Sequence, residues 1–103
     1  MKKDTYRPLP YYLEIKRSNI EGYGLFSKTD LAPLLEVGIS HVADDRFEDG
    51  YIRTPLGGFF NHSDDPNCEA YISGEFVRLR TIKRISSGAE LTVKYWLYNM
   101  EWQ

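Results

Sequence analysis

The sequence predicts a mostly β fold, and three observations predict it. Apolar and polar residues alternate in several short runs, the two-residue period of a half-buried strand. Gly, Pro, Asn and Asp punctuate those runs at close intervals, as turns require. Tyrosine is unusually frequent, with 8 among 103 residues, and a phenol suits a surface that is apolar at one end and polar at the other. The length allows one compact domain and not two. An apolar content of 42% supports a core, which argues against wholesale disorder.

Residues 1–10 carry charges and two prolines, Pro8 and Pro10, without a period. They read as a tail or extended lead-in, which leaves residues 11–103 for the domain. Leu13 and Ile15 alternate with Tyr12, Glu14 and Lys16, predicting the first strand. Gly22-Tyr23-Gly24 turns the chain, and Leu25-Phe26 returns it to the core. Leu35, Val37 and Ile39 alternate with Glu36, Gly38 and Ser40 after the Ala32-Pro33 break, predicting another strand. The acidic run Asp44, Asp45, Glu48 and Asp49 reads as a surface segment with one helical turn. Thr54-Pro55 is a helix start, with Pro55 at the first helical position, leading to Phe59-Phe60. Ala70-Tyr71-Ile72 and Glu75 to Leu79 flank Ser73-Gly74, a two-residue hairpin turn. Leu91, Val93 and Tyr95 alternate with Thr92, Lys94 and Trp96 in the last strand, which puts Tyr95 on the inward face.

A formal charge of −2 argues against a domain built for nucleic-acid backbones, which carries a basic surplus. One cysteine, Cys68, excludes an internal disulfide framework and a multi-thiolate zinc site. No apolar run is long enough to span a bilayer, and no signal-peptide pattern follows Met1-Lys2-Lys3. A soluble protein of an intracellular, reducing compartment is therefore expected, with neither membrane nor nucleic acid as partner.

The densest chemistry lies in Phe60-Asn61-His62-Ser63-Asp64-Asp65-Pro66-Asn67-Cys68. Asn61 offers two donors and an acceptor on a short side chain, and His62 adds two distinct ring nitrogens. Beside an aromatic pair, these groups suit a flat, hydrogen-bonding ligand; alone, they equally suit a turn satisfying its own polar groups. Gly22 and Gly24 allow positive φ and close approach of a ligand to backbone amides, or mark no more than a tight turn. A metal set of His41, His62 and Cys68 matches no familiar zinc spacing. A Cys68–His62 nucleophile pair lacks a recognisable orienting acid and oxyanion hole.

Three segments in order change this balance: Gly22-Tyr23-Gly24-Leu25-Phe26, Asn61-His62-Ser63-Asp64-Asp65-Pro66-Asn67, and Gly88-Ala89-Glu90-Leu91-Thr92-Val93-Lys94-Tyr95. Together they resemble the SET-domain family of S-adenosylmethionine-dependent protein lysine methyltransferases, from about Leu13 to Tyr98. The short chain is similar to the minimal viral type, without pre-SET or post-SET zinc modules. The resemblance implies a β-clip of small curved sheets, in which the Asn-His-Ser loop and the tyrosine-bearing strand cross in a knot-like way. It implies cofactor binding by Gly22, Tyr23, Gly24, Asn61 and His62, the histidine chiefly through its backbone. Tyr95 is the implied catalytic tyrosine, with Tyr23 near the reaction centre and Tyr51 and Tyr98 as channel candidates.

Two segments depart from the family pattern. Lys94 stands where many members have an acid, and the Tyr-x-Gly segment survives only loosely as Glu36-Val37-Gly38. Cys68 occupies a place where many members bind zinc, but no later cysteine follows in this sequence, so it reads as a half-buried packing residue. The implied activity is methyl transfer to the ε-amine of a lysine in a protein or peptide, a histone tail being the familiar substrate. The alternative is a catalytically silent SET-like module that binds a peptide or partner. A minimal aromatic-rich β domain also leaves an edge or patch that a two-fold homodimer would cover.

Overall fold

A computed structural model describes residues 9–48 and 50–94. Strand β1 (Leu13–Arg17) pairs antiparallel with β2 (Tyr23–Ser27) in a two-stranded sheet. Strands β3 (Glu36–Ala43), β4 (Tyr51–Arg53), β5 (Asn61–His62), β6 (Cys68–Ser73), β7 (Phe76–Thr81) and β8 (Thr92–Val93) form a second sheet in the order β4-β3-β7-β6-β8-β5. One short helix, α1 (Pro55–Phe59), precedes β5. The mostly β expectation therefore holds, and the sheets are curled, as the family resemblance implies.

The two sheets are tied by main-chain contacts along β2. Ser27 N donates to Ala89 O at 3.0 Å, and Leu91 N donates to Leu25 O at 2.8 Å. An antiparallel bridge also joins Leu31 to Ile85. The core gathers Leu13 and Leu25 from the small sheet with Val37, Ala70, Val77, Leu79 and Val93 from the large one, closed by Leu56, Phe60 and Leu91. On β6 and β7 the alternation is clean: Cys68, Ala70, Val77 and Leu79 face inward. The opposite face carries Glu69, Tyr71 and Arg80, whose guanidinium lies 4.4 Å from the Tyr71 ring and bonds Glu69 at 2.5 Å.

Several local expectations need correction. Ile15 is partly exposed and Phe26 half-buried, so Leu13 and Leu25 supply most of that sheet's apolar face; Phe26 lies under the Lys16 ammonium, 4.9 Å from the ring centroid. Strand β3 does not alternate simply. Register irregularities between Glu36 and Gly38, and between Ile39 and His41, bury the adjacent Ser40 and His41 completely, because a bulge shifts which side chains face inward. The hairpin turn is Gly74-Glu75, since Ser73 already pairs with Phe76; Gly74 has φ +62, as the first central position of such a turn requires. The acidic segment after β3 is a series of turns with no helical turn among its described residues, and Asp49 lies outside them.

The start of α1 forms as expected. Thr54 caps it, its Oγ1 accepting from Gly57 N at 3.3 Å and donating to Ile39 O at 2.7 Å. Pro55 takes the first turn, where a missing N–H costs nothing. Gly57 lets the helix lie directly on β3, because a Cβ there would collide with the Ser40 carbonyl.

The knot-like crossing appears in how β8 is placed. It inserts between β5 and β6 and runs parallel to both, with Asn61 opposite Thr92, and His62 and Cys68 opposite Val93. Strands β5 and β6 are consecutive in sequence, so the 63–67 loop spans the strand that enters between them. Asn67 clamps that strand: its Nδ2 donates to Glu90 O at 2.8 Å, and its Oδ1 accepts from Thr92 N at 2.8 Å. Leu91, Thr92 and Val93 are all buried, as both flanks of an interior strand are covered.

Candidate functional site

The site forms where the Ser18–Gly24 turn, the Asn61 segment and the Glu90–Val93 segment meet. Ser18 organises the turn: its N donates to Gly22 O at 2.7 Å, and its Oγ accepts from Ile20 N at 2.9 Å. Gly22 has φ +48, and a Cβ there would meet nothing within 4 Å. Its requirement is conformational, and the space beside it is open.

Gly24 is different. A Cβ there would collide with the Glu90 carboxylate and stand 3.2 Å from Asn61 Nδ2. The space that its missing side chain leaves is filled by protein, not reserved for a ligand. Glu90 is held there by Ser18 Oγ, which donates to its two oxygens at 2.8 and 3.0 Å, and by Asn61 Nδ2 at 2.8 Å.

Asn61 joins all three segments. Beyond Glu90, its Nδ2 faces Ser18 Oγ at 3.1 Å, Glu21 O at 3.2 Å and Tyr23 O at 3.3 Å. An NH2 has two hydrogens, so these four oxygens share it. The result is a patch of acceptors, without a Lys, Arg or His nitrogen of a described residue at ion-pair distance from Glu90. Such a patch fits a ligand bearing a positive charge, as S-adenosylmethionine does at its ammonium and sulfonium.

The other candidates fall at varied distances from this point. The Tyr23 ring is exposed, with the Arg17 guanidinium 5.5 Å from its centroid, while its carbonyl faces Asn61. The His62 ring turns outward to Asp64 Oδ1 at 3.1 Å, and its main chain pairs with β8. Tyr51 is one ring removed: its edge packs on His41 at 5.9 Å, and His41 packs on Phe60 at 6.4 Å. Tyr95 and Tyr98 lie outside the described residues.

His41 is fully buried, its Nδ1 at 2.8 Å from Ser40 Oγ. Because that hydroxyl also donates to Val77 O at 3.1 Å, Nδ1 carries the proton in the arrangement that satisfies both contacts. Cys68 is 1% exposed, and burial pushes its thiol up to about 12. It is a core residue, more deeply buried than expected, and too rarely ionised to act as a nucleophile. His41, His62 and Cys68 do not gather, and no cluster of three metal-ligating side chains occurs among the described residues.

Three residues of the site escape a reading of the sequence for roles: Ser18, Glu90 and Asn67. Glu90 stands inside Gly-x-Glu-Leu-Thr, yet an acid beside an apolar run reads as a solvated flank. Ser18 and Asn67 read as turn formers, which they also are. The signal that could have found them is a polar residue at each end of the motif segments, each needing a long-range partner.

The sequence model of the SET domain matches residues 10–96. The chain belongs to the SET-domain family. A stretch of 41 residues is 42% identical to the mouse histone-lysine N-methyltransferase SMYD3, covering 40% of this chain and 10% of that protein. This SET chain thus spans about a tenth of the length of the curated relative that it matches. A Plasmodium falciparum protein assigned as a histone methyltransferase superposes with a TM-score of 0.68, covering 84% of this chain and 95% of that one at 19% identity. At that identity the likeness speaks for the SET fold alone. Among the described residues, no helix is long and apolar enough to cross a membrane.

Proposed function

We propose that this SET domain transfers a methyl group from S-adenosylmethionine to the ε-amine of a lysine in a protein substrate, with histone tails as the first substrates to assay. The observation that carries the reading is the convergence on Asn61 of three segments far apart in the sequence. Its amide contacts Ser18, Glu21 and Tyr23 from one side and Glu90 from another. Membership of the SET family supports the same reaction class.

Gly22, Tyr23, Gly24, Asn61 and His62 hold the cofactor in this reading, the glycine turn and His62 through main-chain groups and Asn61 through its side chain. Bound S-adenosylmethionine supplies an electrophilic methyl group on a sulfonium. The chain's own task is to present a neutral amine, since a free lysine has a pKa of about 10.4. An aromatic channel that strips water from the amine lowers that value, and alignment of the reacting groups supplies much of the rate. Tyr95 is the catalytic tyrosine of this reading, while Tyr51 and Tyr98 are channel walls.

Tyr95→Phe tests it. The aromatic ring stays, while the hydroxyl is lost. Loss of one preorganised polar contact at a reaction centre costs about 2.7–4 kcal/mol, roughly a hundred- to a thousandfold in rate. Single-turnover methylation of a histone panel is the assay, on a variant shown by calorimetry to bind the cofactor. Turnover within a few-fold of wild type would move the catalytic role to Tyr23 or Tyr98. Cofactor binding without transfer to any protein by the wild-type chain would favour the silent module.

A further inference from the structure

Among the described residues, the Glu90 carboxylate receives only neutral donors, Ser18 Oγ and Asn61 Nδ2. Of the four contacts around Asn61 Nδ2, the one to Glu90 is the shortest at 2.8 Å; the others run from 3.1 to 3.3 Å. An amide is planar, so fixing Nδ2 on these oxygens fixes where Oδ1 points. No described residue donates to Oδ1, although every buried side-chain polar atom among the described residues has a partner. Oδ1 is therefore not sealed in the interior, and it keeps its capacity to accept from a ligand. A flipped amide would face its oxygen against Glu90 Oε2 and the carbonyls of Glu21 and Tyr23, acceptors without a hydrogen between them.

We propose that Glu90 is a positioning residue of this site: by accepting from Asn61 Nδ2 it holds Oδ1 in place as the acceptor for the ammonium at the amino-acid end of the bound ligand. The inference rests on the S-adenosylmethionine reading above. It assigns Glu90 a role through Asn61, with no contact of its own to the reacting atoms. Gly24 belongs to the same device, because only glycine leaves the carboxylate room to reach the amide.

Two ligands separate positioning from simple structural support. S-adenosylhomocysteine carries the amino-acid end, and 5′-methylthioadenosine does not. Calorimetric titration of wild type, Glu90→Ala, Glu90→Gln, Asn61→Ala and the Glu90→Ala/Asn61→Ala pair should give a distinct pattern. Glu90→Ala weakens S-adenosylhomocysteine by about tenfold, the size of one lost hydrogen bond, and leaves methylthioadenosine unchanged. Glu90→Gln, whose Oε1 still accepts from Nδ2, loses less. The double variant binds no more weakly than Asn61→Ala alone, because both changes act on one interaction.

Equal losses for both ligands, or additive losses in the double variant, would overturn the proposal and leave Glu90 a structural residue. A second readout needs no ligand. In the unliganded chain the Asn61 side-chain amide protons should resist exchange in nitrogen-15 spectra, and Glu90→Gln should reduce that protection. If wild type binds neither nucleoside, the S-adenosylmethionine reading falls, and the amide protons alone decide whether Glu90 holds Asn61. Unchanged protection would overturn that part as well.

Discussion

Gly24→Ala separates two reasons for a glycine at this position. If Gly24 were kept small only for a ligand, alanine would leave the unliganded chain as stable as before. The structure argues otherwise, because the new methyl group would occupy the place of the Glu90 carboxylate. A side-chain end can swing aside, so the steric cost itself is modest. The larger cost is in the contacts given up on moving: Ser18 Oγ to both oxygens and Asn61 Nδ2 to one. Hydrogen bonds to a charged group contribute about 1.5–3 kcal/mol each, and water replaces part of that at a half-buried site, so Gly24→Ala should cost about 1–3 kcal/mol. Glu90→Ala alone forfeits the same bonds and should cost a similar amount. The pair should then cost little more than either single change, because alanine at 90 removes what alanine at 24 strikes; the coupling should reach about 1–2 kcal/mol. Urea unfolding of the four proteins measures this directly. A stable Gly24→Ala chain, or losses that add, would refute the argument that the carboxylate dictates this glycine.

Other residues give sharper local tests. Asn67→Ala removes the clamp on β8 and leaves Glu90 O and Thr92 N without their partner; a loss of roughly 2–4 kcal/mol is expected in urea unfolding. Cys68, with its thiol raised to about 12 from an ordinary 9.0, should resist alkylation at pH 8 until the chain unfolds. The raised value favours the folded chain fully below pH 9.0 and is lost as pH climbs towards about 12, so Cys68→Ala should lose less stability than wild type over that window. Asp44 is tied to Arg46 at 2.6 Å, and a basic substrate of the proposed reaction would be steered by the other acids of the run, Asp45, Glu48 and Asp49. Neutralising these three should raise KM at low salt, with the effect fading at high salt.

Local chemistry was legible from the sequence where it acts within a few residues. The Thr54-Pro55 helix start and the strands about Leu13 and Cys68–Thr81 follow from period and turn residues alone. Where two distant segments fit together, the sequence was silent. The bulges in β3 arise from its pairing with β7, so Ser40 and His41 become interior against the simple alternation of Leu35, Val37 and Ile39. The Gly74 turn shifted by one residue because Ser73 and Gly74 are equally good turn formers, and only the pairing of Ser73 with Phe76 decides. Leu91-Thr92-Val93 read as alternating because Thr92 is polar; its hydroxyl is in fact used inside, accepting from Asn67 N at 3.3 Å. In the site, the order of the three motifs announced that they belong together. That Gly24 and Glu90 share one small volume could not be read from letters 66 positions apart.

The insertion of β8 between β5 and β6 also sets an order of events for the nascent chain. The hairpin of β6 and β7 can close as soon as both strands exist, since its turn is two residues long. The Asn61 segment cannot finish its pairing until residues 92–93 arrive, about thirty positions later. Glu90, which completes the polar cluster, comes in with them. A chain caught before that step holds a partial core and lacks the shortest of the contacts that orient Asn61, the one to Glu90. Under the S-adenosylmethionine reading, competence to bind is thus acquired late. A half-folded copy should neither sequester the nucleoside nor be rescued by it, and added ligand should slow unfolding far more than it speeds folding.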